Sequence, residues 1–154
     1  MHVRPIQFGS LEYAAYCDLR HRFLREPLGL RLTPHDVEGE ETQHLYGLFT
    51  EEPGNVTHLI GGLIGKADDD ATPRADTVRL RQVVVSPDWR SQGAGRQLLL
   101  QSEQLLVKEG FRRFALYARE DAVGFYLRNG YQPTGKRAEL IGLEHELLEK
   151  YAEG

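Results

Sequence analysis

Sulfur is scarce in this chain: one cysteine and one methionine among 154 residues, and tryptophan also occurs only once. Cys17 has no second thiol, which excludes an internal disulfide. No cysteine or histidine spacing resembles a zinc site, so no metal is expected. No apolar run approaches the roughly 18 residues of a membrane span. The opening Met1-His2-Val3-Arg4-Pro5 lacks a signal peptide's apolar stretch. The sequence therefore predicts a cytoplasmic protein with no membrane partner. Lysine is rare too, since 15 of the 19 basic residues are arginine, and the net charge is −4. An acidic surplus gives no general attraction for a polyanion, so nucleic acid is not an expected partner.

What is present reads as an ordinary globule, with 40% apolar and 27% charged residues. The length suits one domain over residues 1–154, without repeats or linkers. The most informative stretch is 77–110. Alternation at Val78, Leu80 and Gln82 runs into Val83, Val84 and Val85; Ser86-Pro87 breaks it; Gly93 and Gly95 then open a segment of helical period. A strand, a glycine turn and a helix follow one another.

The first amides of a helix have no acceptor within it, and the peptide dipoles make that end partly positive. Gly93 and Gly95 lack the Cβ atoms that would keep an anion from the backbone, and Arg90 and Arg96 flank the turn. A dinucleotide fingerprint requires a third glycine where Leu98 stands, and a P-loop requires Gly-Lys-Ser/Thr where Gly95-Arg96-Gln97 stands. Both patterns fail. The remaining Arg90-x-x-Gly93-x-Gly95 resembles the acyl-coenzyme A pyrophosphate loop of the GNAT N-acetyltransferase superfamily. A second segment, Phe125-Tyr126-Leu127-Arg128-Asn129-Gly130-Tyr131, resembles that superfamily's short helix ending in Gly-Phe/Tyr.

The rest of the chain fits that order. Residues 2–8 predict an edge strand, because of Pro5, and 11–25 an amphipathic helix with Leu11, Ala15, Tyr16, Leu19 and Phe23 on one stripe, ending before Pro27. Residues 26–42 mix turn formers, Thr33 as a cap, and an acidic run at Asp36, Glu38, Glu40 and Glu41. That run is either a solvated loop or a lure for a cationic amine. Strands at 43–50 and 58–66 flank a turn at Pro53-Gly54-Asn55, and an aspartate-rich loop occupies 68–76. After the central helix, with Leu98, Leu99, Ser102, Leu105 and Leu106 inward and Glu103 outward, come a strand at 113–118, a short helix capped by Asp121, and closing strands at 131–138 and 141–149. The expected fold is α/β: a seven-stranded, twisted, mixed but mostly antiparallel sheet with helices on both faces, including one right-handed parallel crossover.

The resemblance implies acetyl transfer from acetyl-coenzyme A to a primary amine of a small molecule or peptide. It implies that the segment of Val83, Val84 and Val85 meets the pantetheine arm, and that Arg90 and the amides of Gln92, Gly93, Ala94, Gly95 and Arg96 meet the pyrophosphate. Tyr126 would give the departing thiolate its proton. Arg119 stands where many members have asparagine, and is read as a further cofactor contact or as a surface arginine at a strand end. Residues 19–30 would wall the acceptor site. The base is left among Glu40, Glu41, His44, His145 and a chain of waters, and Cys17 has no base partner to make it a nucleophile. Oligomeric state is not legible in the residues, although GNAT relatives often pair into dimers and the resemblance leaves room for a homodimer. The alternative is a catalytically inactive acyl-coenzyme A-binding regulatory module.

Overall fold

A computed structural model describes residues 1–52, 56–67 and 76–153. The expected turn at 53–55 and most of the aspartate-rich loop lie outside those residues. Seven strands form one sheet in the order β1-β2-β3-β4-β5-β7-β6. They are β1 (His2–Pro5), β2 (His44–Glu52), β3 (Val56–Ala67), β4 (Thr77–Val85), β5 (Arg113–Arg119), β6 (Gln132–Leu140) and β7 (Leu143–Tyr151). Only β4 and β5 pair in parallel. β1 is an edge strand, and the closing pair turns at Ile141-Gly142, both at positive φ of 47° and 75°, which suits a two-residue hairpin turn. The expected fold class holds.

Three helices cover the sheet: α1 (Leu11–Arg20), α2 (Ala94–Lys108) and α3 (Glu120–Arg128). Ser10 caps α1 by accepting from the Tyr13 amide at 3.1 Å. Leu11, expected on the buried stripe, is 90% exposed, and Tyr13 takes the buried position in the first turn of α1 instead. The helical path does not stop before Pro27. It widens into a π turn at His21–Arg25 and tightens into a 3-10 turn at Glu26–Leu28, where Pro27 sits among the first residues that need no amide donor. Arg119, not Asp121, occupies the N-cap of α3, and Asp121 lies in its first turn.

The core has two parts. Leu98, Leu99 and Leu106 of α2 pack with Leu116, Tyr126 and Leu148 on one face, and Tyr16 and Leu19 of α1 pack with Ile64 and Val84 on the other. Glu103 belongs to the buried side of α2, against expectation; it accepts from the Tyr131 hydroxyl at 2.8 Å and from Lys150 Nζ at 2.7 Å, so its charge is paired. Gly62 has a packing reason: a Cβ there would lie 2.6 Å from the Tyr16 ring, so only glycine lets α1 settle on β3.

Two irregularities position the site. Opposite β3, Gly62 pairs with Val84 and Ile64 with Arg81, so one residue of β3 faces both Gln82 and Val83, and Gln82 takes a positive φ of 53°. This bulge reverses the alternation. Val78 and Leu80 bury under α2 and α3, whereas Val84, of the same parity, buries under α1. The parallel pairing of β4 with β5 ends at Arg79↔Ala115, and beyond it the strands part.

Candidate active site

Where β4 and β5 separate, a cleft of about 770 Å³ opens, with walls that include Val83 of β4, Arg119 of β5 and Tyr126 of α3. Arg90, in the loop that leads into α2, stands on its wall. Ser91 and Gly93 both take positive φ, 66° and 77°, and Gly93 forms the N-cap of α2 with no side-chain cap. The Gln97 amide donates to the Gly93 carbonyl at 3.0 Å, whereas the amides of residues 92–96 find no acceptor among the described residues. They are therefore available to an anion.

The two glycines serve different ends. A Cβ on Gly93 would meet nothing within 4 Å, so its role is the left-handed turn; a Cβ on Gly95 would come within 3.2 Å of the Phe125 ring. Gly95 thus lets α3 pack close to the start of α2, a reason in addition to the expected access for phosphate. Arg96 donates to Asn129 Oδ1 at 3.1 Å and ties α2 to the end of α3, while Arg90 is exposed and reaches the cleft wall. The Gln92 side chain donates to the Asp88 carbonyl at 3.1 Å.

Just past β4, Ser86 donates its amide to the Ile60 carbonyl at 2.7 Å, and within β4 the Val84 carbonyl lies against Gly61 of β3. By ladder alternation, the backbone groups of Val83 and Val85 face away from β3 toward the gap. Val84 differs from its neighbours, since its side chain is buried under α1 and its backbone turns to β3.

Tyr126 lines the cleft at 8% exposure, packed edge-on to Phe125 and Tyr131 with ring centroids 5.1 and 5.7 Å away. Burial pushes its phenol up to about 12. No protein group bonds its hydroxyl among the described residues, so the proton is held firmly and is available to a ligand. Arg119 contacts Asp121 at 3.4 Å and keeps its side chain 40% exposed on the cleft wall.

The four candidate bases are scattered. Glu40 is fully buried, bridged by both oxygens to Arg20 at 2.8 Å and bonded by the Tyr13 hydroxyl at 2.6 Å. Asp36 folds back on Thr33, accepting from its amide at 2.8 Å. The acidic run is thus largely structural. Glu41 is exposed in the Glu40–Thr42 turn, and His44 stacks edge-on to Phe111, with ring centroids 5.5 Å apart. Only His145 reaches the cleft, 7% exposed, with Nδ1 2.9 Å from the Leu143 carbonyl. Cys17 lies on α1 beside Arg20. Sequence reasoning missed Arg81 and Gln82 on the cleft wall; the expectation that residues 19–30 form one wall did include Phe23, Leu24 and Arg25, which stand there. Nothing local marks Gln82 as a bulge.

The profile of the family described as Acetyltransferase (GNAT) matches residues 13–131. In Bacillus subtilis (strain 168), YyaT is 26% identical over 74 residues, 48% of this chain and about half the length of that relative. YitI, called an uncharacterized N-acetyltransferase, is 21% identical over 131 residues, 85% of each chain. Escherichia coli ElaA superposes with a TM-score of 0.72 at 18% identity, covering 97% of this chain and 98% of its own. A GNAT family acetyltransferase from Elizabethkingia anophelis, solved with acetyl-CoA bound, gives 0.65 at 15% identity over 97% of each. Because the profile extends over most of its length, the chain belongs to the GNAT acetyltransferase family, whose acyl donor is acetyl-coenzyme A.

Proposed function

We propose that this protein is an N-acetyltransferase, a single catalytic domain over residues 1–154 that moves an acetyl group directly from acetyl-coenzyme A to a primary amine, with Tyr126 as proton donor. The observation that carries the reading is the cleft between β4 and β5, which has on its wall Arg90, just before the helix start with its unfilled amides, and a buried phenol that no described residue bonds. The residues present fit the donor. The amides of 92–96, with Arg90 beside them, would hold its diphosphate, and open space at Gly93 leaves room for the anion. Val83 and Val85, unpaired by β5, would take the amide groups of the pantetheine arm as a further strand would.

The bound donor supplies a thioester, whose carbonyl carbon forms the new C–N bond while its C–S bond breaks. Tyr126 then donates its hydroxyl proton to the departing sulfur. A phenol pushed up to about 12 remains neutral at physiological pH and is ready for this task. The amine must lose a proton as it bonds. His145, the one candidate base on the cleft wall, would accept it directly or through water. Arg119, also on that wall, would contact the donor from the end of β5. The cytoplasm is the compartment this reading assigns to the activity. Among the described residues no helix is long and apolar enough to cross a membrane.

The test is thiol release from acetyl-coenzyme A against a panel of amines, together with Tyr126→Phe. The variant is expected to keep the thermal shift given by coenzyme A while its kcat falls about 10²- to 10⁴-fold. An unchanged kcat would remove Tyr126 from the chemistry. Binding of coenzyme A without thiol release for any amine would favour a regulatory acyl-coenzyme A-binding module.

A further inference from the structure

The donor accounts for one side of the cleft only. Val78 and Leu80 point beneath α2 and α3, so Arg81, one residue out of phase and ahead of the bulge, projects from the opposite face, the side of α1. Across from it, Arg25 enters the same cleft from the π turn that follows α1. Both guanidiniums are substantially shielded from water; Arg81 has no carboxylate partner among the described residues, and Arg25 has a long ion pair with Asp36.

Arg81 donates to Gln43 Oε1 at 3.0 Å, and no carboxylate among the described residues pairs with it. Glu40 acts on it from a distance, but both oxygens of Glu40 are already bound to Arg20. Burial, aided by the neighbouring charges of Arg20 and Arg79, holds the Arg81 pKa below the usual arginine range, although a guanidinium remains protonated at neutral pH. The Arg25 side chain is 12% exposed; it forms a long ion pair with Asp36 at 3.9 Å, and its buried Nε has no acceptor among the described residues. A shielded cation without a counter-ion is unfavourable unless a ligand supplies the negative charge. Arg81, with the loosely paired Arg25 across the cleft from it, repels a polycationic acceptor and attracts an acidic one, the reverse of what the acidic run in the sequence suggests.

We infer that the acceptor is a small amine that also carries a carboxylate, an amino acid or close derivative, and that Arg81 and Arg25 hold this carboxylate on the α1 side of the cleft. The inference rests on the acetyltransferase reading for its amine, but the carboxylate site stands on the two arginines. Arginine binds carboxylate through two parallel N–H···O bonds, and a charge-assisted contact of this kind in a shielded site changes affinity about ten- to a hundredfold.

The experiment uses matched amines that differ only in the carboxylate: lysine against cadaverine, phenylalanine against phenethylamine, leucine against isoamylamine. Each is titrated calorimetrically into the full chain saturated with coenzyme A, and each is assayed for thiol release with acetyl-coenzyme A. At least one amino acid is expected to bind and react about tenfold or more better than its decarboxylated partner. Arg81→Met should erase that preference through the acceptor KM, leaving the KM for acetyl-coenzyme A and the melting temperature nearly unchanged. Arg25→Gln, a second variant in case the first is destabilised, should weaken it in the same direction. Equal binding of the matched pairs, a preference that survives both substitutions, or preferred use of phosphoethanolamine overturns the proposal. Preferred use of the decarboxylated amines would do so while leaving the transferase reading intact. Arg81-dependent binding of amino acids without any thiol release would support the carboxylate site and sink the transferase reading instead.

Discussion

Arg20 bonds the side chain of Gln82 and Arg81 precedes it in β4, and nearly everything that separates structure from function in this protein separates these two arginines too. Arg20 is wholly buried, doubly bonded to Glu40, and its Nε lies 3.4 Å from Gln82 Oε1. Tyr13 closes the same network by donating to Glu40, and Tyr16 by donating to the Gln82 carbonyl at 2.7 Å. This set of charges and hydroxyls is satisfied from within. On the cleft side the groups have open valences: Arg81 has an amide oxygen but no carboxylate, and the Tyr126 hydroxyl has no protein partner among the described residues. Closed networks fix geometry, and open ones bind. Here the closed network grips the residue whose positive φ creates the bulge, and so sets where the Val83 backbone meets the cleft.

The sharpest way to break this contrast is to remove one partner from each side. Glu40→Gln leaves a fully buried guanidinium with one oxygen acceptor in place of two anionic ones. It should cost roughly 3–5 kcal/mol of stability, the usual penalty for stranding a buried charge. Arg81→Met discards a cation that has no carboxylate to lose and should change stability by less than about 1 kcal/mol. Urea denaturation of the two variants at neutral pH checks the pair. If Arg81→Met proves as damaging as Glu40→Gln, the distinction between closed and open groups fails. Replacing Arg20 and Glu40 together with Met and Leu should recover much of the loss, because no charge is then stranded.

That contrast was largely invisible in the sequence, for a physical reason. The strand, glycine turn and helix of 77–110 are local: β-branched alternation, a proline break and glycines declare themselves within a few residues. The short helix with Tyr126 was legible through its motif and its place after β5. By contrast, the fate of Glu40 depends on a helix 20 positions upstream meeting a turn, and the fate of Arg81 on a change of phase at Gln82 that Val83-Val84-Val85 conceals. Glu103 was misplaced likewise, because its partners, Tyr131 and Lys150, lie 28 and 47 residues away. Burial of paired polar groups is a tertiary event, and periodicity alone assigns such residues to the surface.

The tyrosines offer a second, smaller contrast. Tyr13 and Tyr16 of the closed network and Tyr126 of the cleft all have their phenols raised, chiefly by burial, above the ordinary value of 10.0, Tyr126 to about 12. A folded pKa above the unfolded one means the folded chain retains the proton that the unfolded chain releases. The stabilisation is therefore complete below about pH 10 and is lost as pH rises through the folded value. Stability should fall steeply above about pH 10. Tyr126→Phe should flatten that decline by up to about 1.4 kcal/mol per pH unit between about 10 and 12. Urea midpoints of both proteins across pH 8 to 12 measure the difference, and parallel curves would show that the Tyr126 phenol is not shielded as described.

The smallest expected effect tests whether open groups can be altered without harm to the closed ones. Gly93 takes a φ of 77°, and a Cβ there would meet nothing within 4 Å. Gly93→Ala therefore adds backbone strain without a clash, and about 1 kcal/mol of stability should be lost. The methyl group would also stand where the amides of 92–96 are expected to receive the diphosphate, so the KM for acetyl-coenzyme A should rise several-fold while the acceptor KM is unchanged. Gly95→Ala makes the complementary case, since its Cβ would press on Phe125 and shift α3. That variant should change kcat through the position of Tyr126 more than it changes donor binding. If Gly93→Ala leaves the donor KM at its wild-type value, the diphosphate is held elsewhere, and the unfilled amides at the start of α2 serve only to turn the chain.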